Sequence, residues 1–220
     1  MTNMNQLVRD NASALIGVSG VVIGAVVTFL ASWALRKRDY DLRLWDKLID
    51  RRIDAHERLI NHAHEMRVMI ARNGVDEGGE VLRYPQVLRS RDAFEDWFTN
   101  TITSIGFAST WLSTPAKREA NFLQDYLVTL HINLRSVPSD RFPDVGLIVR
   151  QDFIDMSSNL ERISFVFFDK DVRKLRLSNL NDWHKYPRPQ TEKLLKETNL
   201  LRQWADISRL AEPEADEDES

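Results

Sequence analysis

NASALIGVSGVVIGAVVTFLASWALRKRDYDLRLWDKLIDRRIDAHERLINHAHEMRVMIAR, residues Asn11 to Arg72, is the stretch whose reading decides the fold. It holds no glycine after Gly24 and no proline, so nothing in it need interrupt a helix. Its first part, Asn11 to Leu35, is 25 residues without a charge, mostly Val, Ile, Leu, Ala and Gly. About 20 such residues cross the roughly 30 Å of bilayer hydrocarbon. From Arg36 onward the stretch is densely charged but keeps an apolar residue every three or four positions, as a helix does when it buries one face. If both parts are one helix, it is roughly 90 Å long at about 1.5 Å per residue.

A cleavable signal peptide is the rival reading, because Ser32-Trp33-Ala34 offers small residues at a suitable spacing. The segment is long for a signal sequence, however, only Arg9 precedes it as a base, and Arg36-Lys37-Arg38 follows it like a stop-transfer signal. The bases beyond it are Arg36, Lys37, Arg38, Arg43, Lys47, Arg51 and Arg52. Positive-inside counting then puts residues 1–10 outside, a span at 11–35, and residues 36–211 in the cytoplasm. Trp33 falls at the inner headgroup level, where amphipathic rings are favoured.

Gly20, Gly24, Thr28 and Ser32 recur every fourth residue, and Gly17, Gly24 and Ala31 every seventh. Together they form one flank of small residues, which lets spans approach closely in lipid and self-associate. Glycine is also common in spans for no such reason. The absence of an ionisable group inside the span argues against a proton relay.

After Asp41 the apolar row is Leu42, Trp45, Leu48, Ile49, Ile53, His56, Leu59, Ile60, Ala63, Met66 and Ile70, a stripe wide enough for a bundle. The opposite face is charged, with Asp39–Arg43 and Asp54–Arg58 spaced for helix-supporting pairs. The juxtamembrane basic cluster Arg36, Lys37, Arg38 and Arg43 suits anionic lipid heads, although the interleaved Asp39 and Asp41 weaken the attraction. His56, His62 and His64 are wrongly spaced to share a metal on one helix face.

Beyond this, Asn73-Gly74 reads as the helix stop and Val75 to Pro85 as a loop. A second helix starts at the N-cap Ser90 and buries Phe94, Trp97, Phe98, Ile102, Ile105, Ala108 and Leu112, with Gly106 marking close approach of a neighbour. Thr114-Pro115 caps and restarts a third, running to about Leu134 and burying Ala116, Ala120, Leu123, Tyr126, Leu127, Leu130 and Leu134. A fourth begins near Asp144 with Val149, Phe153, Met156, Leu160, Ile163 and Phe167 inward; its end, Ser164 to Phe168, reads as helix or as a short strand, with helix favoured. Pro187-Arg188-Pro189 enforces an extended connection, and Thr191 caps a final helix carrying Leu194, Leu195, Leu201, Trp204, Ile207 and Leu210. The expected fold class is therefore all-α: a transmembrane helix, a long amphipathic helix, and an antiparallel cytosolic helical bundle.

The net charge of −3 hides an asymmetry, because residues 212–220 hold six acids and no base. That tail has nothing to bury and reads as disordered. The small positive balance of the rest is too weak for a nucleic-acid surface, although Trp183-His184-Lys185-Tyr186 mixes aromatics and bases. With no cysteine, disulfides, zinc–thiolate sites and thiol nucleophiles are excluded. No phosphate-binding glycine loop, nucleophile elbow, H-E-x-x-H or kinase signature is present. The weak remaining candidates are Asp169 and Asp171, with His184 following, as an acid/base or magnesium cluster. Packing is the plainer reading of His131. No catalytic residue, cofactor or metal is assigned.

The run Asp46 to Leu59 resembles a broad class of small bacterial membrane proteins. In these, one N-terminal span runs into a helix with an Arg-x-x-Ala-Tyr/His-Glu-x-Leu-like pattern and then an all-helical cytosolic domain. Arg52, Ala55, His56, Glu57 and Leu59 carry the pattern here, with His56 in place of the commoner tyrosine. The likeness covers roughly Ser13 to Ile60 and implies a bacterial inner-membrane location; some members look like accessory or effector components of antiviral defence. The expectation is a non-enzymatic, single-pass, partner-binding or sensing module that self-associates through its transmembrane helix, and whose partners are the bilayer and a protein or a second copy. The alternative is a membrane-disrupting effector of abortive-infection type.

Overall fold

The computed structural model describes residues 3–75, 79, 81–171 and 188–211, with side chains from 18 on except those of 73, 171 and 188. The described residues are all-α apart from one hairpin: α1 Asn3–Arg67, β1 Met69–Val75, β2 Val81–Pro85, α2 Arg91–Ala108, α3 Thr114–Leu134, α4 Phe142–Val166, α5 Arg188–Glu197, α6 Asn199–Arg202 and α7 Trp204–Arg209. They fall into two compact units, Met1–Ile49 and Asp50–Ser220.

In the first unit every described residue up to Leu44 is exposed, including Val21 at 73% and Phe29 at 70%. Leu42, expected on a buried stripe, is 51% exposed, whereas Trp45, Leu48 and Ile49 are half-buried.

In the second unit α1 buries Ala55, His56, Leu59, His62, Ala63 and Met66 in a core shared with α2, α3 and α4. All seven residues expected inward on α3 are buried. The expected chain stop moves, however. The long helix ends at Arg67, not at Asn73-Gly74, and the expected loop is strand at both its ends: Met69–Val75 and Val81–Pro85 pair antiparallel, Ile70 with Tyr84 and Ala71 with Arg83. The β-branched Val68, Ile70, Val75 and Val81 favour that geometry. Gly74 does adopt a positive φ of 139°, but it serves the irregular register between Ala71 and Val75. Two strands alone are marginal in water. Here the Gln86 amide donates to the Val68 carbonyl at 2.8 Å, Arg72 pairs with Asp144, and β2 packs on α4.

That packing identifies the close-approach glycine as Gly146. A Cβ there would lie 3.0 Å from the Tyr84 Cβ and 3.4 Å from the Leu88 Cβ. Gly106, the expected one, faces open space. The other caps differ by small steps. Ser90 caps α2 as expected, accepting from the Ala93 amide, whereas Ser113 rather than Thr114 caps α3, accepting from Ala116. Helix α4 begins at Phe142 and widens into a π-turn over Phe167–Asp171, so Ser164 to Phe168 is helical. The expected single last helix is three short ones; Thr191 lies inside α5 rather than capping it, Pro189 is helical, and Leu194 is 48% exposed while Leu200 is buried. Residues 172–187 and 212–220, with His184, Trp183 and the acidic tail, lie outside the described residues.

Candidate functional site

Most of the candidate residues read from the sequence lie on the apolar helix. Gly20, Gly24, Thr28 and Ala31 are exposed, and a Cβ on Gly20 or Gly24 would meet nothing within 4 Å. Spacing of three and four residues puts them on one strip. Gly17 lies in the same helix, with its surroundings outside the description. The Thr28 hydroxyl donates to the Gly24 carbonyl at 2.8 Å, so it is satisfied by its own helix. Arg36, Lys37, Arg38 and Arg43 are exposed, with the Lys37 ammonium 5.7 Å from the Trp33 ring centroid. The expected ion pairs Asp39–Arg43 and Asp54–Arg58 are not formed: the described ion pairs include neither.

In the second unit a shallow groove of about 170 Å³ runs between α1 and the end of α2. Buried Ala55 and Ala108 floor it; Arg51, Asp54 and Arg58 line the α1 side, and Phe107 and Trp111 the other. The Arg51 guanidinium stacks 5.2 Å from the Trp111 ring centroid, and Phe107 is 75% exposed.

Below that surface sits His56, fully buried. Its Nδ1 is 2.7 Å from the Arg52 carbonyl, which only accepts, so Nδ1 carries the hydrogen. Nε2 therefore accepts, from the Ser113 amide at 3.2 Å and the Ser113 hydroxyl at 3.1 Å. Its ring stacks parallel on Phe167 with centroids 3.5 Å apart, and the Arg52 guanidinium lies 4.9 Å from that phenyl. With both nitrogens committed, His56 is a structural joint between α1, the α3 cap and the π-turn. His64 is far more exposed and approaches Glu161, and His131 stacks on Phe98 at 4.5 Å. Asp169 is exposed, and no group of histidine and acid side chains among the described residues could hold a metal.

No family model, curated protein or solved structure matches this chain.

Sequence reasoning missed two polar clusters. Asp152 is buried on α4, where its Oδ1 accepts from the Asn199 amide at 2.8 Å and its Oδ2 from the Leu200 amide at 2.9 Å and the Tyr126 hydroxyl at 3.1 Å. Burial raises its carboxyl above the ordinary aspartate value, with the three donors pulling the other way, and burial beside Asp152 raises the Tyr126 hydroxyl well above its own. The cluster fastens the start of α6 to α3 and α4. The signal for it is Tyr126 itself: a tyrosine on an otherwise apolar inward row needs an acceptor. The second cluster is Arg67, whose Nε and Nη2 donate to Ser157 and Ser158 at 3.1 and 3.0 Å while Nη1 pairs with Glu161, tying the end of α1 to α4.

Proposed function

We propose that the chain is a single-span membrane protein with residues 1–10 outside the membrane and residues 36–211 in the cytoplasm, acting without catalysis as a partner-binding module whose apolar helix self-associates. One observation carries this reading. Among the described residues one helix is long and apolar enough to cross a membrane, and no part of its apolar window is buried in the molecule. A signal sequence or a core helix satisfies the length and composition test equally. The complete exposure of Val18 to Leu35 speaks against the core helix, since a helix apolar all round needs apolar surroundings all round. The basic flank after Leu35 supports retention of the helix and the stated orientation.

The open strip at Gly20 and Gly24 supports self-association through backbone approach. The experiment is Gly20→Leu with Gly24→Leu in the full chain, read as the monomer–oligomer ratio in nanodiscs. A shift to monomer is expected; an unchanged ratio sinks association through this strip.

A further inference from the structure

The groove between α1 and α2 has no part in that reading. Asp54 and Arg58 stand one turn apart, the spacing at which helix residues normally pair, yet both are exposed and neither belongs to an ion pair among the described residues. Between them and Trp111 the floor is apolar, and Phe107 exposes three quarters of its surface at the rim beside the open face of Gly106. Arginine, tryptophan and an apolar floor are the residue types that carry binding energy at protein interfaces.

The charge pattern selects the occupant. An anionic ligand, whether a lipid headgroup, a phosphate or an acidic peptide, would be drawn to Arg51 and Arg58 but repelled by Asp54 between them. A cationic ligand would meet two arginines. What answers both signs with an aromatic projection is a surface carrying the same three features, and the same face of a second molecule carries them by identity. In a two-fold pairing residue i meets j while j meets i, so Asp54 and Arg58 of each face make two pairs, while Arg51 stays on its own Trp111 ring.

We infer that this groove is where a second copy of the chain docks, each copy's Asp54 pairing with the other's Arg58 and each Phe107 covering the other's Ala55–Ala108 floor. The inference rests on the self-association in the proposed function and adds a contact outside the apolar helix.

The test is a charge-reversal cycle on the full chain in nanodiscs, with association read by energy transfer between labelled copies. Asp54→Arg and Arg58→Asp are each expected to weaken association about tenfold, as is Phe107→Ala, and Asp54→Arg with Arg58→Asp together to restore it. All three positions are exposed or at the rim, so unchanged thermal unfolding verifies that each variant is folded. Single variants of opposite sign, Arg58→Asp weakening and Asp54→Arg strengthening binding to vesicles of anionic lipid, would assign the groove to an anionic ligand and overturn the inference. So would a double variant that fails to recover. The Gly20→Leu/Gly24→Leu chain, run alongside, separates the two contacts. If it dissociates while the groove variants stay associated, the groove is wrong and the apolar contact stands; if it stays associated while the charge cycle behaves as expected, the groove stands and the apolar contact falls.

Discussion

Residues 18–35 and residues 55–66 belong to one helix and both are rich in apolar side chains, but they display them in opposite ways. In the first, Val21, Ile23 and Phe29 are 73%, 63% and 70% exposed; in the second, Leu59, Ala63 and Met66 are 0% exposed. Polar neighbours make the difference. Charges at Asp54, Glu57 and Arg58 confine the apolar residues of the second segment to a stripe, and a stripe needs only a one-sided core. The first segment has no charge with which to define a wet face, and no part of its apolar window is buried in the molecule.

The largest effects follow from moving one segment's chemistry into the other. Val22→Arg with Val26→Arg costs about 2.5–3.5 kcal/mol per arginine at a bilayer centre, so the chain should leave the membrane pellet while the second unit's thermal unfolding stays unchanged. Leu59→Ala should do the reverse, lowering the stability of the second unit by about 2–5 kcal/mol with membrane partition intact. If both variants changed both readouts alike, the two segments would not differ in environment as described.

Smaller effects sharpen the picture inside the second unit. Asp152→Ala leaves two backbone amides and the Tyr126 hydroxyl without their acceptor, at about 1–3 kcal/mol for each group left buried and unpaired, read by chemical denaturation. The native carboxyl also sets a pH dependence. Its folded-state pKa is raised, so the folded protein keeps a proton that the unfolded chain releases. The resulting stability is present below the ordinary aspartate value and is lost as pH rises to the raised one. Asp152→Asn should flatten the unfolding midpoint across that window.

Two helical glycines of the second unit, Gly146 and Gly106, form the mildest contrast. Gly146→Ala pushes a methyl against Tyr84 and Leu88 and should destabilise by about 1–3 kcal/mol. Gly106→Ala meets nothing and should stabilise by up to about 1 kcal/mol. Thermal melts of the two variants should therefore shift in opposite directions.

These particulars also show what a sequence can disclose. The inward row of α3 was legible to the residue, though its cap was not, because that row repeats at threes and fours without interruption and needs no partner's identity. The hairpin was not, since Met69 to Val75 is short and follows an unbroken helical pattern; its strand geometry depends on β2 and on α4 behind it. The same holds for Gly146, whose role is set by Tyr84 and Leu88 some sixty residues earlier. Buried Asp152 and Ser157 were missed because periodicity separates apolar from polar, and cannot tell a polar group facing water from one facing a donor. Of the candidate sites, the strip of small residues was readable from spacing. The groove was not, as it arises only where Arg51 and Trp111 come together.

The measurement closest to the central claim is a protease-protection assay on intact membrane vesicles of known sidedness, after an alkaline carbonate wash and with the chain detected at both ends. The account predicts that the full-length chain stays with the membrane and that protease on the cytoplasmic face alone digests residues 36–211. A washed-off product beginning near Leu35, or digestion of those residues from the outer face alone, would contradict it.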